Sequence, residues 1–496
     1  MARVTTRSVD VHQREGGEVP AAPRALSSRA AAWWAARRLP AGLAAVVLVV
    51  DVVLAVRRYQ RFTVPSWDLG IFDQALRSMA AGHPPIATIK GVDANLFGDH
   101  FHPVLVVLVP LYWIFHSQLV LLVAQAGLIA VSAGIVGGLA VEVCGRRAGV
   151  ALGLAYGFSW GLQADVVAQF HEVDFALPLV AGSLVALVRG RWRACLLWAL
   201  PLVLVKEDLG LTVAAIGVVL ALRRRDRQGT VAGAALAAWG VGWSLFAVEV
   251  VLPAVNRDGS WTYGSQVDWS VLADPAGLQQ ALTTPHEKLT TLAYLAAVTG
   301  FLALRSPIAL VAVPTLSWRY LADVPAYWGR DWHYSAILMP ILFVALLDAV
   351  QVLRTRPHRL DPAFLRAYAG AVVPVCATVA VVLSVQGLAV KDLVDPQFWR
   401  GQPRDASTRA VLALVPPGTS VESDAGLITY LVPEHQVYWM GRRGNPAPDY
   451  LLVDAVKGGW SPAPDDVVGY AQGLHPGHVY ETVFSQDDYT LVRRRS

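Results

Sequence analysis

SWDLGIFDQALRSMAAGHPPIATIKGVDANLFGDHFHP, residues 66–103, sets Asp68, Asp73, Asp93, Asp99, His83, His100 and His102 between two apolar segments. Ahead of it, residues 41–56 are apolar except for Asp51, and behind it the chain continues VLVVLVPLYWIF from Val104. Carboxylates and imidazoles between membrane segments are costly unless they face water or a polar cavity. Chemistry is therefore expected here first. The competing reading is a solvated loop whose Asp and His residues cap short helices.

Working outward, the 496 residues are 55% hydrophobic and 16% charged, where a soluble chain carries roughly 25% charged residues. Several windows approach the ~20 apolar residues that cross a bilayer. The chain reads as an α-helical polytopic membrane protein whose direct partner is the lipid bilayer. Its net charge of +4 is no nucleic-acid signal, because the basic residues sit in short runs between apolar segments. Cys144, Cys195 and Cys376 lie in or beside apolar segments and form no metal or redox spacing. Only five of the 41 basic residues are lysine, so Lys206 inside an apolar segment stands out.

Residues 1–38 are expected to be a disordered cytoplasmic tail, and residues 39–390 the membrane domain, with a first outer loop over 57–118. Arg37 and Arg38 before the first span put the N-terminus inside by the positive-inside rule. Residues 104–115, interrupted by Pro110, are too short to cross and read as an interfacial or re-entrant helix. Spans follow over 119–143, 148–163 and 175–188. Residues 194–222 lie between two basic runs, Arg189–Arg193 and Arg223–Arg227, which should share one side. An even number of crossings must separate those runs, so a hairpin broken at Lys206-Glu207-Asp208 is expected rather than one helix. Spans over 230–252, 289–304, 307–318, 336–353 and 364–390 bring the total to about 11. Arg57, Arg58 and Arg61 fall on the outer side, against the rule. From Lys391 to Ser496 short apolar runs split by Pro and Gly, with strands expected at 450–456 and 487–496, suggest a small extracytoplasmic α/β domain. No internal repeat is detectable, which weighs against transporters built from duplicated halves.

In this topology five segments deliver ionisable residues to one membrane face. They hold Asp68 and Asp73; Asp99, His100 and His102; His171, Glu172 and Asp174; Lys206, Glu207 and Asp208; and Arg330, Asp331, His333 and Tyr334. A single outer cavity is expected. Each element has a structural alternative. Asp68 and Asp73, five residues apart, do not share one helix face, and Asp68 suits an N-cap. His171 and Glu172 suit span ends, and Lys206 suits simple neutralisation of Glu207 or Asp208. GDHFHP has the residue types of a metal site but no HExxH-like spacing. No cofactor is expected, a divalent metal being the lesser alternative.

WDLGIFDQALRSMAAGHP, GDHFHPVLVVLVPLYWIF, FHEVDFALPL, LVKEDLGL and HYSAILMPILF, in this order, resemble a bacterial membrane-protein family known as domain of unknown function 2079. The similarity runs from about residue 60 to about residue 350, and the tail looks similar too. More distantly the layout resembles the GT-C glycosyltransferases, which use polyprenyl-phosphate sugars as donors. Asp68 matches their acid in the first outer loop, His102-Pro103-Val104-Leu105 their HPPL-like segment, and Leu204-Val205-Lys206 their basic residue in a broken helix pair. WDLGIFD stands where an Asp-Glu pair is commoner. This resemblance implies a GT-C-like fold in the bacterial plasma membrane and an envelope acceptor. It also implies Asp68 as base, with Asp99 and Glu172 as alternatives. Lys206, Arg330 or His333 would stabilise a phosphate leaving group. Asp73, His100, His102, His171, Glu207, Asp208 and Tyr334 would complete the substrate site. The alternatives are an ion- or proton-coupled transporter using Asp51, Asp68, Lys206 and Glu207, and a non-catalytic envelope scaffold or sensor.

Overall fold

The structure, a computed structural model, describes residues 24–63, 67–267, 269–355, 362–385 and 388–495. Residues 1–23 of the expected tail, Ser66, and Arg356–Arg359 of one basic run lie outside them. Met1–Leu39 form one unit, in which residues 24–39 are helical rather than disordered, and Pro40–Ser496 form a second.

Among the described residues five helices are long and apolar enough to cross a bilayer: Arg38–Gln60, Leu119–Cys144, Arg227–Val255, Leu338–Thr355 and Ala363–Leu383. Pro103–Phe115, Trp192–Leu204 and Leu209–Arg223 are shorter apolar helices. The segment 148–163 divides at Phe158–Ser159 into Arg146–Gly157 and Trp160–Ala168. Leu338–Thr355 is 78% buried and packs Leu342, Phe343, Leu346 and Val350 into the main apolar core with Tyr156, Val180, Val213 and Ile216.

Residues 194–222 are not one helix. Trp192–Ala199 tightens into a 3₁₀ turn over Leu200–Leu204 at Pro201, Lys206-Glu207-Asp208 is non-helical, and Leu209–Arg223 follows. Proline supplies the stop, because it lacks a backbone N–H and clashes with the preceding turn. Leu209–Arg223 then lies against Arg227–Phe246 along a glycine seam. A Cβ on Gly217 would sit 2.5 Å from the Gly233 carbonyl oxygen, and one on Gly240 would sit 2.2 Å from that of Gly210. Small residues let the two backbones touch.

The helix Pro103–Phe115, expected to be interfacial or re-entrant, is two-faced. Leu105, Leu108 and Tyr112 are buried, whereas Val106, Val107, Leu111, Trp113, Ile114 and Phe115 are exposed. That is the pattern of a helix lying at a lipid surface.

The C-terminal part carries a five-stranded sheet: β1 (Ser420–Ser423), β2 (Gln436–Trp439), β3 (Tyr450–Asp454), β4 (Tyr480–Gln486) and β5 (Tyr489–Arg494). The order is β2-β1-β3-β5-β4. β1 pairs parallel with β2 and β3, and the β4–β5 hairpin is antiparallel. Its turn places Asp487 and Asp488 at positive φ, the geometry that tight hairpins require. The sheet shares its core with the first outer loop: Leu69, Phe72, Leu76 and Leu105 pack with Ile428, Val437, Leu452 and Leu491. Gln74 and Thr88 donate to the Val437 carbonyl at 3.0 and 2.6 Å, and Gln118 donates to that of Thr429 at 2.6 Å. Arg57, Arg58 and Arg61, expected on the outer side against the charge rule, hold this junction. Arg57 donates to the carbonyls of Phe398 and Trp399, Arg58 pairs with Asp392, and Arg61 meets Asp405 at 2.9 Å.

Gly217→Leu, which pushes a side chain into the Gly233 backbone, is expected to destabilise the fold by about 1–3 kcal/mol. Gly242→Leu, with nothing within 4 Å of its would-be Cβ, is expected to leave thermal unfolding in detergent unchanged. Equal melting of the two variants would rule out the seam.

Candidate active site

Three consecutive residues in the helix break reach three different places. Lys206 Nζ meets Glu172 Oε1 at 2.8 Å. Glu207 accepts from His100 Nδ1 at 2.7 Å and from the Phe101 backbone N–H at 3.0 Å. Asp208 lines a cavity with Lys206, Thr315, Trp318, His333 and Tyr334. A continuous helix would send neighbouring side chains about 100° apart around one axis. The non-helical break lets one short segment gather the GDHFHP and FHEVDF segments instead.

Glu172 follows an unusual turn. Gln169 has φ +72°, a conformation that side chains adopt only at a cost of about 1–3 kcal/mol when the surroundings enforce it. The Gln169 carbonyl accepts from His171 Nδ1 at 2.8 Å. A carbonyl only accepts, so Nδ1 carries the hydrogen and Nε2 is the nitrogen that exchanges a proton. Nε2 lies 3.4 Å from Asp68 Oδ2, and the ring stacks on His333 at 3.6 Å. His102 is buried beside this group, 4.0 Å from Glu172, with neither ring nitrogen hydrogen-bonded.

Asp99 belongs to a second group at the rim. It meets Lys90 Nζ at 3.0 Å and accepts from Tyr263 Oη at 3.1 Å, while Tyr263 stacks on His100 at 4.3 Å. Burial alone would raise the Asp99 carboxyl, but its electrostatic interactions with the neighbouring His100 and Lys90 outweigh that and hold the group below the ordinary carboxylate range. Lys90 lies 5.9 Å from the Trp67 ring, which packs on Trp439 of β2 at 4.5 Å.

Two expected site residues are engaged elsewhere. Asp73 is buried, accepting from Arg77, Tyr112 and Gln118 at 3.0, 2.9 and 2.9 Å. Arg330 lies 4.0 Å over the Tyr294 ring. Asp68, Asp99, His100, His102, His171, Glu172, Lys206, Glu207, Asp208, His333 and Tyr334 come together in the two linked groups. Tyr263, Gln169 and Trp318 join them and carry no signal of their own in the motifs; Lys90 joins them too, marked only by the rarity of lysine and not, as Lys206 is, by an apolar setting. Among the described residues no three His, Cys, Asp or Glu side chains converge as metal ligands. The cavity between Lys206 and Tyr334 measures about 20 Å³, room for about one water. A larger ligand must open it.

The Lys206–Glu172 pair makes a stability prediction. Lys206→Met or Glu172→Gln alone, leaving a buried charge without its partner, is expected to cost about 3–5 kcal/mol, and the double variant to recover most of that. Thermal unfolding of the three variants measures it, and a double variant as unstable as the sum of the singles would refute it.

The fold is shared with ArnT from Cupriavidus metallidurans, a crystal structure with undecaprenyl phosphate bound: TM-score 0.52, 16% identity, covering 91% of this chain and 97% of that one. The expected GT-C-like architecture is thus present as a fold. No curated protein matches the sequence. Residues 58–491 match the family described as "Predicted membrane protein (DUF2079)", and the chain belongs to that family.

Proposed function

We propose that this chain is a membrane glycosyltransferase, moving a sugar from a polyprenyl-phosphate donor to an envelope acceptor at the face that carries Asp68 and Lys206. The observation that carries this reading is the difference in access among the three candidate bases. The Asp68 side chain is 32% exposed, that of Asp99 16% and that of Glu172 3%. By exposure alone, Asp68 is the carboxylate an acceptor hydroxyl reaches most readily. The fold shared with a protein solved with undecaprenyl phosphate supports the lipid part of the donor. The lipid-facing helix Pro103–Phe115 beside the site offers an approach from the bilayer.

On this reading the acceptor oxygen attacks the anomeric carbon while its proton passes to Asp68 and on to His171 Nε2. The bond between the anomeric carbon and the phosphate oxygen breaks, and the phosphate leaves with the electron pair. Lys206 and His333 face the cavity where that negative charge would collect. The site and the C-terminal domain both meet the first outer loop, so they lie on one face. We assign that face to the outside of the bacterial plasma membrane and the N-terminus to the cytoplasm.

Asp68→Asn is expected to keep expression and melting temperature while lowering transfer from a polyprenyl-phosphate sugar by about 10²–10⁴-fold. Full transfer by Asp68→Asn with melting lowered only in Asp68→Ala would make the residue a helix cap, worth about 1 kcal/mol. For orientation, Ser485→Cys in a chain lacking the native cysteines is expected to react with an impermeant maleimide in intact cells. Protection there would reverse the assignment.

A further inference from the structure

The small cavity beside Lys206 is walled by polar groups that the rest of the protein leaves unpaired. Thr315 Oγ1, Trp318 Nε1, His333 Nδ1 and Asp208 Oδ1 are buried, and none has a hydrogen-bond partner among the described residues. Native proteins leave few such atoms unpaired, and four around one space point to a ligand. Thr315 and Trp318 stand three residues apart on the helix Val313–Leu321 and so share a face of it. The Trp318 N–H can only donate, as can the ammonium of Lys206, which spends one of its three hydrogens on Glu172. Asp208 is the odd member. Glu172 accepts from Lys206, and Glu207 from His100 and the Phe101 N–H, whereas Asp208 Oδ1 accepts from nothing among the described residues.

We propose that Thr315, Trp318, His333 and Lys206 form the pocket for one oxygen of the donor's phosphate, and that Asp208 joins them as a carboxylic acid, donating a hydrogen bond rather than accepting one. This deepens the glycosyltransferase reading and rests on it. Size admits one oxygen: about 20 Å³ holds about one water, so the rest of the phosphate stays outside. Charge requires the proton. Lys206 is the one permanent cation lining the cavity, and Glu172 already neutralises it. A phosphate brought beside an ionised Asp208 would therefore be repelled. Burial pushes the Asp208 carboxyl up to about 6 against the pull of Lys206; Glu207 and Glu172 add to the rise and His100 opposes it. An adjoining phosphate raises it further. Burial, His171 and Lys206 hold His333 well below the ordinary histidine range, burial raises Tyr334, and Thr315 and Trp318 do not titrate. Asp208 is thus the wall group that changes charge near neutrality. Binding takes up its proton, so affinity is full below the free carboxyl's value and falls as pH rises above it, by up to about tenfold per pH unit.

The test measures binding rather than transfer. The full chain in a non-ionic detergent is titrated with undecaprenyl phosphate or uncharged undecaprenol at about pH 6 and about pH 8, read by microscale thermophoresis. Thr315→Val and Trp318→Phe, each removing one donor to a charged oxygen, are expected to weaken undecaprenyl phosphate about tenfold and to leave undecaprenol unchanged. Between the two pH values the native chain is expected to lose at least tenfold more affinity than Asp208→Asn. The phosphate's own titration is common to both proteins, and asparagine keeps an N–H donor without a titrating proton. Should Trp318→Phe fail to fold, Thr315→Val and the pH comparison still decide. Unchanged affinity in the cavity variants would make the space a site for an enclosed water and overturn the inference. Equal pH dependence in the native chain and Asp208→Asn would also overturn it, as would a native affinity that rises with pH, the mark of an ionised Asp208 accepting from a hydroxyl. Each of these results removes the pocket and leaves the transferase reading standing. The expected binding with no sugar transferred removes only the transferase reading. Undecaprenyl phosphate bound no better than undecaprenol by the native chain removes both.

Discussion

The Lys206–Glu172 ion pair is the constraint on which the rest of the site depends. Neither charge is tolerable in a membrane domain without the other, and each sits on a segment that would otherwise be free to continue as helix. Meeting at 2.8 Å requires the chain to leave the helix at Pro201 and re-enter at Leu209, and requires the strained turn at Gln169. The pair thus uses the break that Pro201 sets locally and accounts for a strained turn that local propensity does not. Burying an ion pair is weak evidence for stability, because desolvation offsets much of the attraction. Its retention in so apolar a chain points to a geometric role, fixing where His100, His171 and Asp208 face.

The loop after the first span is held from both sides. Its apolar residues share a core with the C-terminal sheet, and its polar residues donate to carbonyls of β2 and of the short helix Ile428–Leu431 before it. Trp67, next to Asp68, packs on Trp439. Removing the sheet would therefore expose the apolar underside of the helix that begins with Asp68. The sheet is part of the platform on which the site is built, which accounts for the arginines at the C-terminal end of the first span: they are docking donors.

The sequence is legible where polar groups interrupt apolar runs. The helix break at Lys206, the two-faced helix at 103–115 and the strands near 450 and 489 follow from charge parity, length and alternation. The convergence of Asp99, Glu172 and Lys206 follows from topology. What is not legible depends on side-chain direction. Asp73 and Arg330 carry the right chemistry in the right segments, but helix phase turns Asp73 toward Tyr112 and Gln118, and a nearby ring takes Arg330. Spacing alone already separates Asp68 from Asp73. The division of 148–163 and the helical residues 24–38 are likewise set by tertiary contacts or by short-range propensity that composition hides. Tyr263 lies in a loop with no periodic signal, so its stacking on His100 emerges only in three dimensions.

The distribution of polar groups also bears on transfer against transport. Polar residues run inward from the site: Asp174 accepts from the His171 backbone at 3.1 Å, Gln125 donates to Asp165 at 3.2 Å, and Gln163 donates to Asp51 at 3.4 Å. Beyond Asp51 the next buried positions of the first helix are Val47 and Leu43. Between Asp208 and Arg223 lie buried Val213 and Ile216, and between Ile337 and Asp348 lie buried Leu342 and Phe343. An ion or proton path needs polar groups or water across both leaflets. The described residues instead place a polar cluster at one end, a basic cluster at the other and close-packed side chains between. That arrangement supports chemistry confined to one face.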